Sequence, residues 1–263
     1  MEFSLHIDST IDLATIEDFD KYTRLYFGND FCELLLPNEK EFEYMLSISK
    51  DYKKSLTLTT SPMTQYSLER LIILINKYYK ELKGTGFEIV FNDFGVYESF
   101  KNYTDLNLVC GRVLARFKRD PRQDKVVQNL ESLHRQTNIN GKYIQELFIK
   151  NKVHRIDMDW SPIVKVENDN QQINYSIITP WIYLTTTRLC RLNDLNLYDF
   201  ENRLRIGENC SKQCKNAMII MNNKSMQKKL YAFGNAIFYR LEEQPSQNDD
   251  NFYNRIVEYR SSI

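Results

Sequence analysis

SLTLTTSPMTQYSLERLIILINKYYKELKGTGFEIVF, residues 55–91, contains a complete strand–helix–strand unit. Residues 55–60 alternate polar and apolar side chains and include β-branched threonines, which is typical of a strand. Residues 67–82 repeat apolar side chains at helical spacing, and Gly84 and Gly86 mark the end of this helix. The EIVF that closes the stretch is a second strand pattern. Because parallel strands need a crossover that is usually a helix, the stretch predicts a parallel βαβ unit.

The same order of elements continues on both sides of this stretch, with units repeating at about 30 residues, the size of a βαβ motif. The other strand patterns lie at residues 24–28, 106–110 and 153–158, and the other helical patterns at 39–50, 94–103, 125–136 and 140–150. Five such units favour a (β/α)8 barrel of the TIM type over an open doubly wound sheet, and they leave open whether its end is complete, incomplete or distorted. No GxGxxG or GxxxxGK[ST] fingerprint occurs, which argues against the usual nucleotide-binding sites.

The βα rhythm breaks after Trp160. Strand patterns at 173–178 and 181–185 are followed by a polar, cysteine-bearing stretch, and a last strand pattern covers 232–240. Polar residues follow. We therefore expect a single barrel domain over residues 1–241, with a polar linker and C-terminal tail over residues 242–263.

Composition restricts the class of protein. Hydrophobic residues make up 42% and charged residues 27% of 263 residues, which excludes a disordered or fibrous chain. Equal numbers of acidic and basic residues, 35 of each, remove any whole-protein field toward nucleic acid or an anionic membrane. The basic run RFKRDPR (116–122) leaves a local contact with RNA or an anionic partner open, although a solvated loop is the favoured interpretation. Without an apolar run of about 20 residues or a signal-peptide pattern, we expect a cytoplasmic protein that does not span a membrane.

The cysteines are the most informative residues. Their number, five, is odd, and a reducing compartment disfavours disulfides, so any clustering among them points to metal binding or reactivity. Cys210 and Cys214 share one face if they lie on a helix, while Cys32 and Cys190 follow strand ends, which a barrel brings to one rim. Four thiolates suit either tetrahedral zinc or an iron–sulfur cluster. The alternative is that cysteines are small buried hydrophobic residues, and Cys110 in LNLVC is expected to be one.

Polar residues at predicted strand ends are candidate catalytic groups. Asp93 follows Asn92, and Asp157 lies two residues before Asp159. Both aspartates occupy positions where barrel side chains reach the catalytic rim. Arg112 follows another strand and has the geometry to bind a carboxylate or phosphate. The alternatives are helix caps and turns for the acidic residues and a surface ion pair for the arginine.

Histidine offers little for hydrolytic chemistry. Of the three histidines, His154 is expected to be a barrel residue and His134 a solvated one, and His6 stands alone near the start. Neither a Ser-His-Asp ordering nor an HExxH motif is recognisable. The sequence therefore argues against peptidase activity.

Several motifs together resemble the U-thirty-two peptidase family, also called collagenase-like peptidases. They are LYFGNDFC (25–32), FNDFGVYESF (91–100), TTTRLC (185–190) and NCSKQC (209–214). Within this family the chain is similar to short members that include the paired accessory proteins of oxygen-independent ubiquinone hydroxylation. VCGRVLARFKRDPR (109–122) also resembles uncharacterised members of that branch.

The resemblance implies a barrel with a [4Fe–4S] cluster held by Cys32, Cys190, Cys210 and Cys214. It also implies oxygen-independent redox chemistry, such as hydroxylation of an aromatic small molecule or a nucleobase, and a heterodimer with a related barrel as the possible assembly. Two other functions stay open. The cluster can belong to a non-catalytic subunit of a complex, or the thiolates can bind zinc in a plain hydrolase or binding scaffold.

Overall fold

The computed structural model of the protein describes residues 1–7, 16–119, 121, 136–164, 166, 172–193, 210–222, 224, 226, 228–245 and 252–259. Eight parallel strands form a closed barrel, in the order β1-β2-β3-β4-β5-β6-β7-β12 around its circumference. Their bounds are β1 Glu2–His6, β2 Arg24–Gly28, β3 Ser55–Thr59, β4 Glu88–Phe91, β5 Asn107–Cys110, β6 Arg155–Asp159, β7 Asn174–Thr179 and β12 Arg255–Tyr259. The predicted α/β barrel of the TIM type is confirmed.

Four α-helices follow strands within the described residues: α1 Glu39–Tyr52, α2 Gln65–Leu82, α3 Phe94–Phe100 and α4 Lys142–Lys150. Their starting points follow from capping residues. Asn38 and Glu41 form a reciprocal capping box at α1, and the Thr64 side chain accepts a hydrogen bond from the backbone of Ser67 at α2. The helix expected over residues 125–136 lies outside the described residues. No described helix has the length and apolar character needed to cross a membrane.

The two strands that close the barrel differ from the sequence-based expectation. The first strand is β1, not the RLYFG segment, and β12 lies inside the segment expected to be a linker and tail. β12 pairs in parallel with both β1 and β7. Both strands were missed because polar or charged residues interrupt their apolar residues, as Glu2 and Ser4 do in β1 and Arg255 and Glu258 do in β12, so neither has the apolar run of a buried strand.

A second, antiparallel sheet, called here the small sheet, contains β8 Trp181–Thr186, β9 Ile219–Met221, β10 Leu230–Phe233 and β11 Ala236–Arg240. Its strand order is β8-β11-β10-β9. The single strand expected over residues 232–240 is therefore a hairpin, which turns at Gly234 with φ of 57°. Two apolar clusters join the small sheet to the barrel. Ile182 and Tyr239 belong to the main core. The buried members of the second cluster are Phe31, Val113, Trp181, Tyr183, Ala236 and Phe238.

The barrel interior is layered. A central apolar layer consists of Tyr26, Val90, Val109, Ile178 and Val257. Below it, at the N-terminal ends of the strands, Arg255 bonds both carboxylate oxygens of Glu88, at 2.6 and 3.0 Å, and also bonds Glu2 at 2.7 Å. Arg24 bonds the other oxygen of Glu2 at 2.9 Å. The barrel is thus plugged at one end by paired charges, and the opposite end carries the candidate site.

Candidate functional site

The loop that holds Cys32 starts at the C-terminal end of β2. Gly28 has φ of 99°, and a Cβ there would lie 2.2 Å from the Thr59 carbonyl oxygen, so only glycine fits this turn. The Asn29 side chain then accepts hydrogen bonds from the backbone N–H groups of Phe31, at 2.9 Å, and Cys32, at 2.8 Å. The position of Cys32 relative to the barrel is therefore fixed by local hydrogen bonds.

The hairpin turn of the small sheet brings two further cysteines to this place. A Cβ on Gly234 would lie 3.5 Å from the Cys214 sulfur and 3.9 Å from the Cys190 sulfur, so both thiols border one point. The neighbouring Asn235 side chain donates to the carbonyls of Phe31 and Thr187, each at 2.7 Å. One asparagine thus connects the segment before Cys32 to the segment before Cys190.

Electrostatic coupling joins all four predicted ligands. Burial raises the pKa of the Cys214 thiol to about 12, and negative charge on Cys32, Cys190 and Cys210 adds to this rise. Burial likewise raises the pKa of Cys32 to about 11, with contributions from Cys210 and Cys190, while the backbone N–H groups of Leu34 and Leu35 act in the opposite direction. Cys190 and Cys210 are therefore close enough to Cys32 and Cys214 to contribute to the pKa of these two thiols.

The sequence predicted that a shared helix face and the ends of barrel strands would bring the cysteines together. The structure brings them together in a different way. Cys214 lies in a single 3-10 turn, Gln213–Lys215, and Cys210 precedes that turn, so the pair does not share a helix face. Cys190 follows β8, which belongs to the small sheet and not to the barrel. The small sheet, packed over the end of the barrel, brings these three cysteines to the loop after β2.

All five cysteines are free thiols in this structure. Within the described part of the chain, no three His, Cys, Asp or Glu side chains stand in an arrangement that could hold one metal ion. Four cysteine thiols are the donor set that either a tetrahedral zinc or a four-iron cluster takes, the cluster with one thiolate on each of its four irons.

Basic residues flank two of the cysteines in the sequence. Arg188 and Arg191 lie on either side of Cys190, and Lys212 and Lys215 on either side of Cys214. Against the rise that burial causes, Lys215 and Lys212 help to lower the pKa of Glu41, and Arg188 helps to lower that of Glu33, so these cations act on nearby carboxylates. At Cys32 it is the backbone N–H groups of Leu34 and Leu35 that favour the thiolate.

The C-terminal end of the barrel strands is called here the mouth, and Arg112 lies at its centre. Its side chain is fully buried, with Nε donating to Asp30 at 2.9 Å and Nη1 donating to Asp159 at 3.1 Å. The guanidinium carbon lies 4.8 Å from the ring centre of Phe31 and 5.2 Å from that of Tyr259. The expectation of a surface ion pair is therefore wrong, because the small sheet covers the end of β5. The carboxylates that Arg112 binds belong to the protein itself.

Asn92 connects the strand ends around Arg112. Its Nδ2 donates to Asp30 at 2.9 Å, and its Oδ1 accepts the backbone N–H of Val113 at 2.9 Å. Gly111 makes room for it, because a Cβ there would lie 2.2 Å from the Asn92 side-chain oxygen. The mouth is a connected polar network in which Asp30, two residues before Cys32, receives bonds from two barrel strands.

Two of the candidate catalytic acids have other environments. Asp93 caps α3, accepting from the backbone of Val96 at 3.0 Å, and it also accepts from Met63 at 2.8 Å, so the alternative interpretation as a helix cap describes its contacts. Asp157 lies inside the barrel, where burial raises its pKa to about 6. The Tyr26 hydroxyl lies 3.5 Å from its Oδ1. Cys110 is fully buried, as expected, and burial raises its pKa.

Several residues at the mouth of the barrel were not predicted from the sequence. His6 and Tyr259, at the ends of β1 and β12, stack with ring centres 4.3 Å apart. The alternation of Glu2, Ser4 and His6 was a signal for this strand, but polar inward residues hid it. His154 is exposed before β6 and is not the barrel residue expected, and His134 lies outside the described residues.

A small pocket of about 40 Å³ lies on the side of α1. Its lining includes Gly28, Asn29, Leu35, Glu41, Lys215 and Tyr259. Lys215 donates to Glu41 at 3.1 Å. Cys32 lies between two lining residues in sequence and Cys214 precedes a third, but the lining itself contains no cysteine.

Comparisons of the chain with protein-family models, with curated proteins and with solved structures found no match. The resemblance to the U-thirty-two peptidase family stays a prediction from the motifs.

Proposed function

We propose that this chain is an iron–sulfur barrel protein that takes part in oxygen-independent redox chemistry. Cys32, Cys190, Cys210 and Cys214 would hold a [4Fe–4S] cluster, which supplies single-electron chemistry when bound. The observation that carries the proposal is the convergence of these four thiols, from two separate parts of the fold, beside the mouth of the barrel. Active sites of barrel enzymes lie at this end of the strands.

The protein's own residues would position a substrate and exclude water. The pocket next to the Cys32 loop combines the apolar Leu35 with polar groups from Asn29, Lys215 and Tyr259, and at about 40 Å³ it would have to widen to admit such a molecule. The resemblance suggests an aromatic compound or a nucleobase as this substrate. Arg112 and Asp30 would hold the Cys32 loop against the barrel while the small sheet covers the mouth.

The same site offers poor support for proteolysis. A cysteine nucleophile needs a lowered pKa, but burial raises the pKa of Cys32 to about 11 and that of Cys214 to about 12. Thiols in this state are protonated at neutral pH. We expect no hydrolysis of gelatin or casein by the protein with or without iron.

The test is an anaerobic purification followed by iron and acid-labile sulfide analysis. We expect a brown protein with iron and sulfide in near-equal amounts. Cys32→Ala should lose the iron, whereas the matched control Cys110→Ala should keep it and lower stability by about 1 kcal/mol through a small cavity. Stoichiometric zinc without sulfide would contradict the proposal and favour the zinc scaffold. Iron and sulfide in a protein that is redox-active only with a second, related chain would identify the subunit function.

A further inference from the structure

The small sheet has a charge that the rest of the chain lacks. Residues 210–241 contain no aspartate or glutamate, and their six basic residues are Lys212, Lys215, Lys224, Lys228, Lys229 and Arg240. Because the whole chain has zero net charge, all other residues together carry −6. The neutral total therefore conceals a basic segment, which the exposed Glu242 and Glu243 follow directly.

Half of these six basic residues face solvent. Lys224, Lys229 and Arg240 are exposed, and so is Arg188, which follows β8. Lys212, Lys215 and Lys228 are half-buried, and Lys215 pairs with Glu41 of α1. Strands of three to six residues are short, at about 3.3 Å per residue, so charges at both ends of the sheet add to one field at low ionic strength.

The outer strand of this basic sheet also has an apolar surface. β9 pairs only with β10 among the described residues, and Ile220 at its centre is 51% exposed. An apolar spot surrounded by charged residues is the pattern of a protein–protein interface. Single-stranded nucleic acid is instead held on exposed aromatic side chains, and every described aromatic residue of this sheet is buried or half-buried.

We infer that the small sheet is the docking surface for an acidic one-electron carrier protein. The inference rests on the proposed function, because the same sheet and its loops contain three of the four cysteines. A carrier bound here would give up one electron to the cluster, which would gain it, so the exchange needs no other reactant. Electron-transfer complexes have small, weak interfaces, and complementary charge gives them fast association.

The experiment measures binding of an acidic plant-type [2Fe–2S] ferredoxin to the full chain by calorimetry, at 20 and 200 mM salt. We expect binding at low salt that weakens at least tenfold at high salt. Lys224→Glu with Lys229→Glu should weaken binding at low salt at least tenfold. These two residues are not adjacent to any cysteine, and circular dichroism checks that the variant is folded. If it is not, Lys224→Gln with Lys229→Gln serves in its place, with a smaller loss expected.

The matched control reverses two exposed charges on the barrel helices, Lys80→Glu and Lys142→Glu. It changes net charge by the same amount but should alter binding less than twofold. Equal weakening in both variants, or no ferredoxin binding, would overturn the docking surface. Binding of a 20-nucleotide RNA that is tighter than ferredoxin binding, and lost in the Lys224/Lys229 variant, would also overturn it and assign the surface to nucleic acid.

Iron and sulfide analysis of the same samples separates this inference from the proposed function. A protein that contains the cluster but does not bind ferredoxin disproves the docking surface alone. A protein without iron or sulfide that still binds ferredoxin through Lys224 and Lys229 disproves the proposed function, and the docking surface stands.

Discussion

Both ends of the barrel bury arginines against carboxylates, but the two ends satisfy these groups differently. At the closed end, Arg255 uses all its nitrogens on Glu2, Glu88 and Tyr26, and none of the polar atoms of Arg255 or Glu88 lacks a partner. At the mouth, Arg112 Nη2 and Ser61 Oγ are buried without a hydrogen-bond partner.

This difference separates stability from function. Full pairing offsets the cost of removing charges from water, so the closed end stabilises the barrel. Groups left without partners cost stability and persist where a site needs them. In barrels the N-terminal end of the strands serves stability and the C-terminal end serves chemistry, and the two arginine networks follow that division.

The largest effect is expected at the closed end. Glu88→Gln would leave Arg24 and Arg255 with Glu2 as their one remaining carboxylate partner and should lower the free energy of unfolding by about 3–5 kcal/mol. Urea denaturation followed by circular dichroism measures this. The control, Glu39→Gln, removes an exposed partner of Lys77 and should leave the midpoint unchanged. If Glu88→Gln unfolded at the same urea concentration as the wild-type protein, this result would contradict a stabilising role of the closed end.

Asp157, between the two ends, provides a pH-dependent test. Its folded pKa of about 6 lies above its ordinary value of 3.8, so the folded state binds a proton more tightly and stability falls as pH rises through this window. Asp157→Asn removes that loss and should stabilise the protein above pH 6 by up to about 3 kcal/mol. The gain should shrink toward pH 4. Denaturation at pH 4, 6 and 8 gives the difference, and a gain independent of pH would show that Asp157 titrates normally.

Matched substitutions at the two ends test whether the mouth serves the cysteine site. Arg112→Lys keeps the charge but loses the forked geometry that reaches both Asp30 and Asp159, which should cost about 2 kcal/mol. Because Asp30 precedes Cys32 by two residues, this variant should also retain less iron. Arg24→Lys at the closed end should lower stability without reducing iron content. Equal iron loss in both variants would contradict a special role of the mouth.

The smallest effect concerns the turn beside the thiols. Gly234→Ala places a methyl group 3.3 Å from the Cys214 Cβ in a left-handed backbone conformation, which should cost about 1–2 kcal/mol and lower the iron content. Gly84 has a similar φ of 73° with nothing within 4 Å of its would-be Cβ. Gly84→Ala should therefore lose only the stability that the left-handed backbone conformation costs, and it should keep its iron. Iron-to-protein ratios of the two variants separate crowding at the thiols from backbone strain.

The sequence by itself determined the elements whose signals are local. The strand–helix–strand pattern of residues 55–91 predicted parallel βα units, and the caps at Asn38 and Thr64 occur where the helices begin. The burial of Cys110 followed from its apolar neighbours. Each of these depends on residues within a few positions of one another, so periodicity and capping chemistry are sufficient.

Only the tertiary structure decided how the barrel closes and what surrounds its mouth. Glu2 and Arg255 are 253 positions apart and Asp30 and Arg112 are 82 apart, and no local pattern encodes such pairs. β1 and β12 turn charged side chains inward, so their sequences resemble exposed segments until their partners are known. The cysteine site likewise depends on a separate sheet packing over the barrel. The physical reason is that the free energy of a buried charge or thiol is set by neighbours that chain closure supplies, not by adjacent residues.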